Sequence, residues 1–278
     1  MAQRLVDSAV HRADRDNATL YRLLSTQLRD VNVPESVVDA IPPLLIFLIT
    51  WICMRLRKQT LGQVGLQFDR RWLAQLLLGT ALGIAWLLAV AIPIWIAGGV
   101  EFSVNPNASM NILLIGLWGF ALGALMEELL HRGFIFQRLI DGIGFIGAQF
   151  LVAAIFAFGH LENPEMEGWV QLRACTDLAI ASLIFGLAYW RTKSLALPFG
   201  LHLGWNWMQG SVMGVAVSGH ETQGLLVAHI TDAPVWLSGG GFGLEASLVS
   251  QLVSLLVLAA LWYWPKKSSP SQAQPALA

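Results

Sequence analysis

The sequence predicts an all-α fold: a polytopic membrane bundle of about seven transmembrane helices around an intramembrane polar cavity. Three observations lead there. Of 278 residues, 55% are hydrophobic and only 13% are charged, well below the charged share of an ordinary soluble domain. Apolar stretches recur along the chain at lengths suited to crossing a bilayer. Glu127, Glu128, Arg132, His160, His202 and Asn206 stand inside or at the edges of those stretches, where ionisable groups are costly and mark function. The formal net charge of -1 gives no nucleic-acid footprint. Membrane lipid is the expected surrounding partner.

Residues 1–37 form a polar arm in which arginines alternate with aspartates. It lacks an apolar core and so is not a cleavable signal peptide; the stretch from Leu20 to Leu28 could give a short interfacial helix its apolar face. The membrane domain then runs over residues 38–264. Its first span is expected from about Val38 to Leu56, with Pro42 and Pro43 near the start, and its second from Leu73 to Ala97. A third begins near Met110 and a fourth covers Phe145 to His160. The fifth runs from Leu172 to Trp190, the sixth from Leu195 to Val217 and the seventh from Leu244 to Trp262. Residues 265–278, a Ser/Pro/Ala-rich tail, are expected to be disordered and cytoplasmic.

Charge orients these spans. Arg55, Arg57, Lys58, Arg70 and Arg71 lie between the first and second, Arg132 and Arg138 between the third and fourth, and Arg191 and Lys193 between the fifth and sixth. Lys266 and Lys267 follow the seventh. Every second connection is basic, which marks the cytoplasmic side. The opposite connections carry Glu101, then Glu162, Glu165 and Glu167, then Glu221 and Asp232. An odd number of spans then puts the N-terminus outside and the C-terminus inside. Trp51, Trp72, Trp95, Trp169, Trp190, Trp262 and Trp264 fall near span ends, as an interfacial aromatic belt requires. Gly79 and Gly83, Gly119 and Gly123, Gly200 and Gly204, and Gly210 and Gly214 are pairs four apart, a spacing that permits close helix contact. Cys53 and Cys175 both lie in apolar stretches and are expected to fill space rather than form a disulfide.

Three short blocks carry the chemistry. In the first, MEELLHRGFIFQRL, Glu128 and Arg132 are four apart and share a helix face, so the arginine can hold the carboxylate ionised. Glu127 points about 100° away, and His131 shares its face. In the second, Phe156 and His160 share a face, and Glu162, Asn163 and Glu165 announce a polar loop. In the third, His202 and Asn206 stand one turn apart in an apolar helix and need polar partners inside the bundle. Together these groups suit hydrolysis. A carboxylate and an imidazole can share a water and take its proton as it attacks a carbonyl, and desolvation makes such a carboxylate a stronger base. A second imidazole and an amide N–H can hold the developing oxyanion. The sequence has no G-x-S-x-G, S-x-x-K or H-E-x-x-H motif. A metal-dependent variant stays open, since Glu127, His160 and His202 would make a three-ligand Zn²⁺ set.

The blocks resemble those of the CPBP intramembrane proteases, the family of CaaX-processing proteases and bacteriocin-processing or immunity proteins. The family pattern is a Glu-Glu pair with Arg after three further residues, then Phe-x-x-x-His, then His-x-x-x-Asn. It is matched by Glu127, Glu128 and Arg132, by Phe156 and His160, and by His202 and Asn206. The resemblance covers about residues 110–219 and extends towards SGGGFGLEAS, where Glu245 is either a helix-start carboxylate or a neighbour of the site. It implies an intramembrane endopeptidase in which Glu127 and His160 activate water, His202 and Asn206 stabilise the oxyanion, and Glu128 and Arg132 support the site. The substrate would be a peptide or membrane-protein segment, lipidated in part of the family, and the location a bacterial plasma membrane. A glutamate-type mechanism fits these motifs better than a metal-dependent one. The competing reading is a non-hydrolytic protein, a proton-coupled transporter or an immunity partner, using the same cavity; the absence of an inverted repeat disfavours transport.

Overall fold

The computed structural model describes residues 40–264, so the predicted arm, the first residues of the first span and the tail lie outside the described residues. The chain is mostly helical. Helix α1 covers Ile41–Leu56 and a single turn, α2, covers Leu61–Val64. Helix α3 runs over Arg70–Ile96, starting where the Asp69 carboxylate accepts the Trp72 N–H at 2.7 Å, an N-cap that satisfies an otherwise orphaned donor. Helices α4, Met110–Arg132, and α5, Phe134–Phe158, are divided at Gly133. Helix α6 covers Gly168–Thr192 and α7 covers Ala196–Trp207, continuing into a π-helical turn at Met208–Val212. A turn α8, Val235–Ser238, and two 3-10 turns precede α9, Leu248–Tyr263.

Three helical runs are long and apolar enough to cross a membrane: Arg70–Ile96, Met110–Phe158 and Gly168–Thr192. Helices α1 and α9 are apolar but shorter. The predicted sixth span also falls short. Its α-helix gives way at Trp207 to a π-helical turn that ends at Val212 rather than near Val217, so the α-helical part rises about 18 Å against a hydrocarbon core of about 30 Å. Helix length thus establishes three crossing runs among the described residues and does not establish the count of seven. Outward-facing Leu77, Ile92, Ile115, Phe150 and Leu256 give the bundle an apolar exterior suited to lipid, and with the crossing helices they make this an integral membrane protein.

Small residues bring α3 and α7 together. A Cβ on Gly79 would lie 2.5 Å from the Leu197 carbonyl oxygen and 3.0 Å from the Gly200 Cα, and one on Gly200 would lie 2.7 Å from the Thr80 nitrogen. Added carbons on Gly83 and Gly204 would collide with the Leu201 and Thr80 carbonyls. Two of the four predicted glycine pairs thus form one backbone-to-backbone crossing, while Gly119 and Gly123 face open space. Around this crossing Trp86, Leu87, Val90 and Ile94 pack with Ile184, Leu187, Leu201 and Trp205. Helix α7 is buried at every residue from Ala196 to Trp205.

The all-α expectation needs one correction. Strands β1, Val100–Val104, and β2, Leu226–Ile230, pair antiparallel with Val100 opposite Ile230 and Val104 opposite Leu226. No hairpin turn joins them, so no local signal announced the pairing. Trp72 is a second correction: it is buried, with its indole N–H donating to the Gly65 carbonyl at 3.0 Å, and holds a turn rather than an interface. The other six belt tryptophans are exposed. Cys53 and Cys175 are both free thiols.

Candidate active site

The third sequence block supplies the centre of the site. Helix α7 carries His202 and Asn206 into a cavity of about 560 Å³, which Glu127 from α4 and His160 also line. His160 stands just beyond the C-terminus of α5, where the helix gives way to turns. The predicted polar loop begins at this point. Gly144, with φ 74° and ψ 167°, puts a kink inside α5.

Glu128 and Arg132 do not reach the cavity surface. Both are fully buried, with Arg132 Nη1 3.3 Å from Glu128 Oε1. Arg132 Nη2 also donates to the Ser182 carbonyl at 3.0 Å and to the Ser182 hydroxyl at 2.6 Å. Phe156 and Phe185 each offer a ring to the guanidinium, at 5.1 and 5.3 Å from ring centroid to Cζ. A desolvated guanidinium gains from such aromatic faces. The Phe of the second block therefore acts through Arg132 as well as through its own helix.

The ion pair orients His202. Its Nδ1 lies 3.1 Å from Glu128 Oε1. A carboxylate paired with arginine is an acceptor only, so the proton in this bond sits on Nδ1. The ring stacks on Phe185, with centroids 4.9 Å apart and planes 15° apart. Nε2 then faces Glu127, 3.8 Å from its Oε2. His160 is oriented by the backbone: its Nδ1 donates to the Phe156 carbonyl at 2.7 Å, so that in the neutral ring Nε2 is the acceptor. His131 Nδ1 donates to the Glu127 carbonyl oxygen at 2.9 Å, while its ring meets Phe156 edge-on and also lines the cavity.

The six predicted residues are thus sorted into two groups. Glu127, His160, His202 and Asn206 line the cavity, and Glu128 with Arg132 forms the buried support behind His202. Among the described residues no group of three or more His, Cys, Asp or Glu is gathered so as to hold a metal ion. Ser182 and Phe185 were not foreseen. A serine and a phenylalanine in an apolar helix carry no motif, and their contacts arise only when α6 packs against α4 and α7. Asp177 and Glu245 also line the cavity, so Glu245 is a neighbour of the site.

No curated protein and no solved structure matches this chain. Residues 109–208 match the family model described as Rce1-like, type II CAAX prenyl endopeptidase. That segment holds all six site residues and is similar to the Rce1-like endopeptidases, in agreement with the CPBP resemblance of the three sequence blocks.

Proposed function

We propose that this protein is an intramembrane endopeptidase that hydrolyses a peptide bond in a membrane-associated protein or peptide by glutamate-activated water. The observation that carries this reading is the orientation of His202. Its Nδ1 is held by the Glu128–Arg132 pair while Nε2 faces Glu127 across 3.8 Å in a shared cavity.

Glu127 takes a proton from a water that His160 Nε2 helps to hold, and the oxygen attacks the carbonyl carbon of the scissile bond. The carbonyl π electrons move to oxygen. Asn206 offers an amide N–H to that oxyanion, and His202 offers Nε2–H in its doubly protonated form. Glu127 and Glu128 balance the charges of His202 and Arg132 before the proton moves, and the oxyanion takes the place of Glu127 in that balance afterwards. Collapse of the tetrahedral intermediate breaks the C–N bond, and Glu127 returns its proton to the leaving amine. Water is consumed, and one carboxyl and one amine terminus are formed. Should Zn²⁺ be required, Glu127, His160 and His202 remain the candidate ligands, and the ion would polarise the carbonyl and the water.

Membranes expressing the wild type or Glu127→Gln at matched levels test the reading through their newly formed peptide termini. Termini made only by the wild type are expected, with cleavage by the variant reduced roughly 100- to 10,000-fold. Equal cleavage by a folded variant removes Glu127 from the mechanism. No wild-type cleavage of any membrane peptide, with flux of protons or solutes instead, transfers the cavity to transport.

A further inference from the structure

The segment beyond the family match holds a second buried polar network. Glu245 sits in the glycine-rich connection before α9, is 4% exposed, and accepts at both carboxylate oxygens. Oε1 takes the Ser218 backbone N–H at 3.1 Å, and Oε2 takes Gln209 Nε2 at 2.6 Å. Gln209 is fully buried and also donates to the Ala216 carbonyl at 2.6 Å. The Ser218 carbonyl accepts from Asn163 Nδ2 at 2.9 Å, and the Asn163 N–H in turn donates to the His160 carbonyl at 3.0 Å. Gln209 lies three residues beyond Asn206, in the π-helical turn. The Glu245 carboxylate is therefore bonded directly to the turn after Asn206 and, through Ser218, to the loop after His160.

The backbone is built closely around it. Gly243 has φ +114°, and a Cβ there would lie 2.5 Å from Glu245 Oε2 and 2.9 Å from Gln209 Nε2. No other residue fits beside this knot. The Gly219 N–H donates to the Phe242 carbonyl at 2.7 Å, which makes a second tie between the same two loops. At the start of α9, Ser247 caps the Ser250 N–H at 3.0 Å, while the Ser250 hydroxyl bonds Asp177 Oδ2 at 3.0 Å. The carboxylate is thus mounted on a connection fixed to α6.

We propose that Glu245 is a positioning residue for peptide cleavage: its carboxylate clamps the loop after His160 to the turn after Asn206, and so fixes both groups on one cavity wall. The proposal rests on the endopeptidase reading for its activity arm but not for its structural one. Purified full-length wild type, Glu245→Gln, Glu245→Ala and Gln209→Ala are compared by amide hydrogen exchange and by peptide cleavage. Glu245→Ala and Gln209→Ala should each speed exchange about 10-fold or more in residues 159–164 and 208–220 while leaving α3 and α6 protected. Cleavage should lose kcat about 100-fold with KM changed less than about 3-fold. Glu245→Gln keeps one of the two acceptors and should fall between these and the wild type. Unchanged exchange at 159–164 in a folded variant overturns the clamp, whether or not the wild type cleaves. A raised KM with unchanged kcat also overturns it and makes Glu245 a substrate contact. If Glu245→Ala does not fold, Gln209→Ala decides, since it cuts the same link from the other side.

Discussion

Arg132 concentrates much of the site's cost in one side chain. Burying a guanidinium is unfavourable unless its donors and charge are met; here Glu128, both Ser182 oxygens and two aromatic rings meet the charge and the two Nη groups, while Nε is buried without a hydrogen-bond partner. Arg132→Met should leave the Glu128 carboxylate buried with His202 but without its guanidinium, a loss of about 3–5 kcal/mol, read by thermal unfolding in detergent. Arg132→Lys keeps the charge but not the fork that reaches Glu128 and Ser182 together; normal stability and cleavage in this variant would remove the support role. Glu245 adds a pH dependence. Burial pushes its carboxyl up to about 7 against the pull of the Gln209 and Ser218 donors. Its folded-state pKa is above the unfolded value, so its contribution to stability is fully present below about 4.5 and is lost as pH rises through about 7, on the order of 3 kcal/mol in all. Glu245→Gln should flatten that part of the unfolding profile between pH 5 and 8, whereas an unchanged slope assigns the titration to another group. The gathering of Glu127, His160, His202 and Asn206 at one cavity, with Glu128 and Arg132 paired behind them, was legible from polar groups spaced along apolar segments. The partners Ser182, Phe185 and Gln209 were not, because each acts on a residue far away in sequence.

Elements were legible where apolar length decides them and less so where packing does. Helices α3 and α6 fall close to their predicted limits, since a long apolar run has one stable solution in a bilayer. Helix α7 does not, because hydropathy cannot distinguish a lipid-crossing helix from a short one that protein surrounds. What makes its shortness tolerable is burial against α3, α4 and α6, and the glycine crossing with α3 brings the backbones close enough for that. The crossing also sets where His202 and Asn206 stand. Gly204→Val should therefore drive the branched side chain into the Thr80 backbone, costing at least about 2 kcal/mol and lowering kcat together with stability. Gly123→Val, on a face where an added carbon meets nothing within 4 Å, should leave the unfolding temperature close to that of the wild type. Equal stability losses in the two variants would mean that close helix contact is not what the α3–α7 glycines provide.

Across the whole molecule, the basic connections meet at one end. The Leu195 N–H donates to the Gly65 carbonyl at 3.0 Å, Gln137 reaches the Val64 carbonyl at 3.2 Å, and Arg191 bonds the Trp262 and Trp264 carbonyls. These contacts join the connections after α1, α4 and α6 to the end of α9. At the other end β1 pairs with β2, and Asn163 bonds Ser218. The sequence made this segregation legible because charge alternates from one connection to the next; it could not reveal the contacts that seal each end. Arginine and lysine resist transfer across the membrane during insertion, so the basic end should face the cytoplasm and the loop after His160 should face outward. Single cysteines at Lys193 and Glu165, in a chain whose Cys53 and Cys175 are replaced by serine, test this with a membrane-impermeant thiol reagent on intact cells. Glu165→Cys should label from outside, and Lys193→Cys only after permeabilisation. The reverse pattern would invert the molecule and bring the His160 side of the cavity to the cytoplasm, so that its peptide substrates would have to arrive from there.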